Sequence, residues 1–169
     1  GNINSLNGLK DLIGLDFCGI NINGNISCLR NAHNLTLIGL SNTNVFGDFA
    51  SLKSLVHLKD IGIENTNVIC NIENVKPFKT LNRLYMNNFY TSGSLCNLCK
   101  LQNITVLRLY SKRIYGSIGF LRKLRNLHEL CLSETSVYGD IGYLNEMKNL
   151  IILKLGGTNV SGDISRLKS

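Results

Sequence analysis

Hydrophobic and polar positions recur along the chain with a period of 23 residues. In the best-formed copy, residues 124–141, the apolar side chains stand at Leu124, Leu127, Leu130, Leu132, Val137 and Ile141. This spacing fits neither one continuous helix nor one continuous strand. Steps of 23 residues from Ile141 reach an apolar residue every time, namely Ile164 in one direction and Ile118, Leu95, Ile72, Phe49, Ile26 and Ile3 in the other. The pattern predicts seven complete repeats, 1–23, 24–46, 47–69, 70–92, 93–115, 116–138 and 139–161, and a partial eighth, 162–169.

Each repeat contains a short run in which apolar and polar residues alternate. In the sixth repeat, Leu130 and Leu132 then lie on one face and the residues between them on the other, which predicts a strand. One short strand cannot bury its apolar face alone, but seven stacked in parallel can, over roughly 30 Å. Apolar residues three apart in the following segment predict helical or 3₁₀ turns on the outer side. We expect a single domain, 1–169, and a fragment of a longer chain, because Gly1 already occupies the first place of a repeat.

One place of the repeat carries a structural prediction of its own. Counted from the glycine that opens each repeat, place 20 holds threonine in four repeats, Thr43, Thr66, Thr135 and Thr158. There the strand leaves the sheet, and a short polar side chain can hydrogen-bond the freed backbone groups inside an apolar core. Ile20, Phe89 and Lys112 depart from this place, so the fourth and fifth repeats depart from the template together.

The segment L-x-x-L-x-L-x-x-T-x-V resembles the signature of the leucine-rich-repeat family, with threonine where the family usually has asparagine or cysteine. The resemblance covers the entire chain. The V-x-G-D-I that follows is similar to the G-x-I segment of plant-type repeats, without their usual proline. The resemblance implies a right-handed solenoid with a parallel β-sheet on its concave face, turns or short 3₁₀ or helical segments on its convex face, and a role in protein binding.

The variable places around the predicted strand are the candidates for function, because the consensus places serve packing. Arginine and tyrosine, which are enriched at interface hot spots, meet there in adjacent repeats. The candidate binding residues are Arg83, Tyr85, Asn87, Arg108 and Tyr110, flanked by the acidic residues Asp60, Glu64 and Glu129. We predict a concave surface that binds a protein or peptide partner. The alternative is that the arginine and tyrosine side chains stack on one another only for solubility, with the acidic flanks as solvated ion pairs.

The net charge of +7 raises the question of an acidic partner. Eleven of the eighteen basic residues fall at three outer places, which predicts a basic flank made of Lys10, Arg30, Lys53, Lys76, Lys79, Lys100, Arg122, Lys123, Arg125, Lys148 and Lys168. This flank is either a solvated face or a weak binder of an acidic surface. No stacking aromatic residues are interleaved with it in the repeat pattern, so we expect no specific nucleic-acid recognition.

Six cysteines occupy six different places of the repeat, so no two align for a disulfide bond between neighbouring repeats. We expect free thiols, which favours a reducing, cytoplasmic compartment. Four glycosylation sequons, at Asn25, Asn34, Asn103 and Asn159, leave an extracellular location open.

The sequence gives no support for catalysis. Cys96-x-x-Cys99 has no second pair of ligands for zinc, and no serine, histidine and carboxylate converge at one level of the stack. No apolar run is long enough to cross a membrane. We therefore expect a scaffold without enzymatic activity, metal or cofactor, monomeric within its parent protein. The alternative is a structural spacer in a larger receptor or signalling protein.

Overall fold

The structure is a computed structural model that describes residues 1–167. Lys168 of the predicted basic flank lies outside the described residues, as does Ser169. Each repeat contributes one strand to each of two parallel sheets. The first sheet consists of β1 Gly14–Asp16, β3 Leu37–Gly39, β5 Asp60–Gly62, β7 Arg83–Asn87, β9 Val106–Tyr110, β11 Glu129–Cys131 and β13 Ile152–Lys154. The second consists of β2 Asn23–Asn25, β4 Asn44–Asp48, β6 Asn67–Asn71, β8 Thr91–Ser94, β10 Ile114–Ser117, β12 Ser136–Asp140 and β14 Asn159–Ser161.

The first sheet is the one that the alternating runs predict. Its strands pair in sequence order and in a register of one repeat, so that Gly62 of β5 lies opposite Tyr85 of β7, and Tyr85 lies opposite Arg108 of β9. The core-facing leucines, such as Leu130 and Leu132, are fully buried. Equivalent side chains of successive repeats therefore stand in columns across this sheet.

The second sheet was not predicted. In β6, residues Asn67 to Asn71 alternate between exposed and buried, as a strand should, but the repeat has only one apolar consensus place there. The glycine that follows this place in other repeats is normally a sign of a turn. Here it stays within the strand at a positive φ, for example 110° at Gly47 in β4.

Short 3₁₀ helices connect the second sheet to the next repeat, as the apolar spacing predicts. They span Ile3–Leu6, Ile26–Leu29, Phe49–Leu52, Ile72–Val75, Leu95–Leu98, Ile118–Leu121, Ile141–Leu144 and Ile164–Leu167. An asparagine, aspartate or serine precedes each helix and accepts a backbone N–H two residues further on, as Asp48 does from Ala50 at 2.8 Å. The polar residue of place 2 is thus an N-cap.

The glycine of place 1 makes room for this cap. A Cβ atom on Gly47 would overlap Oδ1 of Asn25, the cap of the preceding repeat. Only the fourth repeat replaces this glycine, with Cys70, which is fully buried and whose thiol lies 3.6 Å from the sulfur of Met86.

The threonines of place 20 perform the role expected of them. The hydroxyls of Thr66 and Thr135 donate to the carbonyl oxygens three residues earlier, at 2.7 Å and 2.6 Å, and both side chains are buried. Each threonine therefore satisfies a carbonyl at the point where a first-sheet strand turns away.

Candidate binding surface on the first sheet

A fixed cation–π stack lies on the first sheet. The guanidinium carbon of Arg108 lies 5.1 Å from the centroid of the Tyr85 ring, within the range of cation–π attraction. The same guanidinium donates two hydrogen bonds to Glu129, from Nε at 2.5 Å and from the terminal nitrogen at 3.0 Å. These bonds lower the pKa of Glu129 below its usual value, so the pair stays ionised at neutral pH. Arg108 is thereby held in place by its neighbours on the sheet.

The prediction that Glu129 is an exposed acidic flank was wrong. Its exposure is only 9%. Arg108 covers it from the neighbouring strand, and the thiol of Cys131 donates a further hydrogen bond to it at 3.3 Å. Glu129 therefore supports Arg108 rather than offering a free carboxylate.

A second ion pair joins Arg83 to Asp60 across β7 and β5. Nε and the terminal nitrogen of Arg83 each donate to one carboxylate oxygen of Asp60, both at 2.9 Å. Two parallel bonds of this kind fix the orientation of both groups, although an exposed pair contributes little to stability. The charges of Asp60 and Arg83 thus largely cancel at this edge of the surface.

Glu64 differs from the other predicted acidic residues, because it forms no ion pair within residues 1–167. Its side chain is half-buried, and burial raises its pKa; the positive charge of Arg108 acts against this rise, and the negative charge of Glu129 adds to it. Both nitrogens of Arg108 that form hydrogen bonds are already committed to Glu129. Glu64 is therefore a carboxylate that is only partly compensated.

Asn87 and Tyr110 lie opposite each other at the ends of β7 and β9. These two strands are five residues long, whereas the other five strands of the first sheet have three. The additional residues continue the ladder and place Asn87 and Tyr110 beside the stack of Tyr85 and Arg108. Tyr110 is 45% exposed, so its ring is available to a partner.

Two hollows lie on either side of Arg108, and Glu64 borders both. The larger, of about 390 Å³, extends toward the first repeat along Tyr85, Gly62, Gly39 and Asp16. The smaller, of about 270 Å³, extends toward the seventh repeat along Tyr110, Ser133 and Lys154. The predicted residues therefore form one surface with a central ridge and a depression on each side.

Gly39 and Gly62 stand at variable places around the predicted strand, but they were not among the predicted binding residues. They are the floor of the larger hollow because they have no side chain at places where the neighbouring strands carry Asp16 and Tyr85. The signal that could have revealed them was two consecutive glycines in a variable column.

The predicted basic flank is exposed along all its described members. Two of them are paired, Lys76 with Glu73 at 3.4 Å and Arg125 with Glu146 at 2.9 Å. A hollow of about 540 Å³ lies beside this flank and is lined by Cys99, Lys100, Gln102, Ser117, Gly119, Phe120, Arg122, Lys123 and Tyr143. The inference that no aromatic residues are interleaved with the flank was wrong, because the exposed Phe120 stands two residues before Arg122 and Tyr143 holds the equivalent place of the next repeat.

All six cysteines are free thiols. Burial and the hydrogen bond to Glu129 raise the pKa of Cys131 to about 11, so this thiol is a weak nucleophile at neutral pH. Across residues 1–167 there is no group of three or more His, Cys, Asp or Glu side chains placed to hold a metal ion. The same residues include no helix long and apolar enough to span a membrane.

Comparison with solved structures places this geometry among known folds. The leucine-rich-repeat ectodomain of the Arabidopsis receptor kinase HAESA, solved with an IDA peptide hormone ligand, superposes with a TM-score of 0.78 at 25% identity over 93% of this chain. An internalin C2 of Listeria monocytogenes gives 0.74 at 20% over 98%, and a leucine-rich-repeat protein of Leptospira interrogans gives 0.73 at 19% over 95%. The chain has the fold of a leucine-rich-repeat solenoid. Its first sheet is the concave sheet, and its 3₁₀ helices lie on the convex side.

The shared part differs in size among these structures. The solenoid spans 70% of the internalin, 42% of the Leptospira protein and 27% of the HAESA ectodomain. No protein-family model and no curated protein matches its sequence. Several of the similar structures are receptor ectodomains, so the cytoplasmic location favoured by the cysteine pattern gains no support from these comparisons.

Proposed function

We propose that this solenoid is a non-catalytic scaffold that binds an extended peptide or a protein segment across the concave faces of repeats 3–6. The observation that carries the proposal is the stack of Tyr85, Arg108 and Glu129, whose large side chains are already ordered. A surface whose aromatic and arginine side chains are fixed in advance loses less conformational entropy on binding. The complex of the similar HAESA ectodomain with a peptide hormone supports this proposal by analogy. We take one copy of the chain to be the binding unit.

A peptide-display experiment tests the proposal and requires no identified partner. A library of random peptides is selected on the wild-type solenoid and on a variant in which Arg83, Tyr85, Arg108 and Tyr110 are replaced by alanine. A matched control replaces Arg30, Arg122, Tyr115 and Tyr138, which are two arginines and two tyrosines exposed outside the concave sheet. We expect enrichment on the wild type and the control, and none on the concave variant.

Two results would contradict concave binding. Enrichment that survives in the concave variant would place the peptide elsewhere. The absence of any enrichment on the wild type would favour the alternative of a structural spacer.

A second candidate function is weak binding of an acidic protein surface to the basic flank. The hollow that combines Lys100, Arg122 and Lys123 with two aromatic rings is the observation that favours it. Such binding depends on exposed charges and is therefore steeply weakened by salt. Titration with a polyglutamate peptide at about 50 mM and about 200 mM salt tests it, and equal affinity at both concentrations would exclude it.

A further inference from the structure

The larger concave hollow is a trough that runs across the strands. Asp16, Gly39, Gly62 and Tyr85 occupy the same place in four successive strands, so they follow one another in register. With neighbouring strands about 4.8 Å apart, the distance from Asp16 to Tyr85 is about 14 Å. The two glycines between them leave the floor of the trough without side chains of its own.

The floor is polar at both glycines. The position that a Cβ atom would take on Gly39 lies 2.6 Å from Oδ1 of Asp16, so the aspartate leans over this glycine. The equivalent position on Gly62 lies 3.1 Å from Oγ of Ser41. Neither glycine has a positive φ, so backbone conformation does not require glycine at either place. At Gly39, which is buried, the side chains of Asp16 and Cys18 occupy the position of the absent side chain. At Gly62, which is partly exposed, the absent side chain leaves space in the trough.

The charges that face the trough are predominantly negative. Asp60 is neutralised by Arg83, and Arg108 is committed to Glu129. Asp16 accepts a hydrogen bond from the backbone N–H of Cys18 at 3.1 Å, and Glu64 borders the trough two residues after Gly62; neither forms an ion pair in the described part of the chain. An anionic ligand would meet these two carboxylates at close range, which opposes its binding.

We propose that the trough over Gly62 receives the lysine or arginine side chain of an extended peptide bound on the concave sheet, with its positive charge against Glu64. This inference rests on the proposed function and specifies its ligand. The aliphatic stem of a basic side chain lies against the backbone of Gly62 and the side chain of Leu37, while its charged end reaches the carboxylate of Glu64. Glu64 thereby gains an ion-pair partner, which it lacks within residues 1–167.

The test compares peptide selection on the wild type with selection on three variants. Glu64→Gln removes one charge with almost no change in shape. Gly62→Val fills the floor, and valine suits a strand whose backbone has no positive φ. Gly14→Val is the matched control, because Gly14 lies in β1 outside the trough and the nearest atom to its Cβ position is 3.9 Å away. Thermal unfolding establishes which variants are folded. If Gly62→Val does not fold, Glu64→Gln alone still tests the proposal.

We expect peptides selected on the wild type and on Gly14→Val to carry lysine or arginine at one fixed position, and this preference to disappear in the other two variants. Replacing that lysine by norleucine, or that arginine by citrulline, should weaken binding to the wild type about tenfold or more, since an ionic hydrogen bond contributes about 1.5–3 kcal/mol. On Glu64→Gln the same replacement should change the affinity less than about threefold, because the lost carboxylate no longer distinguishes the two peptides.

The outcomes separate this inference from the proposed function. Peptides that bind the concave surface without a basic preference, or whose preference persists in Glu64→Gln, would overturn the trough and leave concave binding intact. If no peptide is enriched on the wild type, or if the Arg83, Tyr85, Arg108 and Tyr110 variant still selects the same peptides, both proposals fail.

Discussion

The third and sixth repeats end their concave strands differently from the fourth and fifth. In the regular repeats the strand stops after three residues, and a residue with positive φ follows, Asn65 at 50° or Glu134 at 57°. A buried threonine then binds the carbonyl that the turn releases. In the fourth and fifth repeats the threonine place holds Phe89 or Lys112, both exposed, and the strand runs for five residues.

The fourth repeat replaces the threonine with a network of two buried side chains. Nδ2 of Asn88 donates to the carbonyl of Ile63 at 3.3 Å, and its Oδ1 accepts from the backbone of Tyr90 at 3.1 Å and from the hydroxyl of Thr91 at 2.8 Å. The hydroxyl of Thr91 also contacts the carbonyl of Met86 at 3.3 Å. One hydroxyl is thus replaced by an amide and a hydroxyl, and the turn moves two residues further along the chain.

This difference shows why the candidate binding surface lies on the fourth and fifth repeats, which depart from the consensus at place 20. The longer strands add the pairs Met86 with Leu109 and Asn87 with Tyr110 to the ladder. The same two strands carry Tyr85 and Arg108. The two repeats that lack the threonine of place 20 therefore have longer strands, and these enlarge the concave surface at the position where arginine and tyrosine meet.

The largest expected effect comes from the glycine place, which the fourth repeat alone replaces. Gly47→Ala should reduce the free energy of unfolding by about 3 kcal/mol, because a side chain is strained at positive φ and its Cβ overlaps a side-chain oxygen of Asn25. Cys70→Ala, at the equivalent place but without a positive φ, should cost only about 1 kcal/mol for the lost sulfur contact. Urea denaturation of both variants measures the difference. Equal losses would show that the two kinds of repeat do not differ at this place.

Removing the Asn88 amide from the turn of the fourth repeat should reduce stability more than removing the threonine hydroxyl from the turn of a regular repeat. Asn88→Ala removes one donor and one acceptor from a side chain that is only 4% exposed, and should cost about 2 kcal/mol. The control Asn67→Ala alters an exposed residue in β6 and should change stability by less than about 0.5 kcal/mol. If Asn88→Ala were as mild as its control, the network would not be what replaces the threonine.

The regular turn gives the next smaller effect. Thr135→Val keeps the shape of the side chain but leaves the carbonyl of Leu132 without its 2.6 Å hydrogen bond, at a cost of about 1 to 2 kcal/mol. Thr36→Val, whose hydroxyl donates in an exposed setting at 3.0 Å, should cost less because water can replace the bond. Denaturation curves that show no difference between the two variants would remove the case for a specific role of place 20.

Much of the fold could be predicted from the sequence because the same pattern occurs in seven complete repeats. Leu130 and Leu132 alone are a weak indication of a strand, but the same alternation at every 23rd residue predicts both the strand and its register. The second sheet was missed because its residues carry only one apolar consensus place, followed by a glycine that is usual in turns. Its regularity lies in backbone pairing, which side-chain periodicity does not report.

The residues of the candidate surface could be named from the sequence, but which arginine pairs with which carboxylate could not. Arg83 with Asp60 and Arg108 with Glu129 follow from strand register only once rotamers are known, since each arginine could also have reached another carboxylate. The burial of Glu129 depends on this choice. Register gives the neighbours of a side chain, whereas packing decides which neighbour it contacts.

The smallest expected effect concerns the two carboxylates that flank Arg108. Their pKa shifts have opposite signs, so they contribute to stability in opposite ranges of pH. Because Arg108 lowers the pKa of Glu129 in the fold, this carboxylate contributes stability above its usual titration range near 4.5, and the contribution is lost as pH falls through the lowered pKa. Burial raises the pKa of Glu64, so the folded state favours the protonated form, and this contribution is present below about 4.5 and is lost as pH rises through the raised pKa.

The stabilities of two glutamine variants, measured at two pH values, test this difference. At pH 7, Glu129→Gln should destabilise the solenoid and Glu64→Gln should stabilise it slightly, by less than about 1 kcal/mol because the group is partly solvated. Below pH 4 the advantage of Glu64→Gln over the wild type should vanish, since Glu64 is then protonated in both the folded and the unfolded chain. Denaturation at pH 7 and at pH 3.5 measures both quantities. A Glu64→Gln variant less stable than the wild type at pH 7 would mean that Arg108 compensates Glu64 fully, leaving the trough without its available carboxylate.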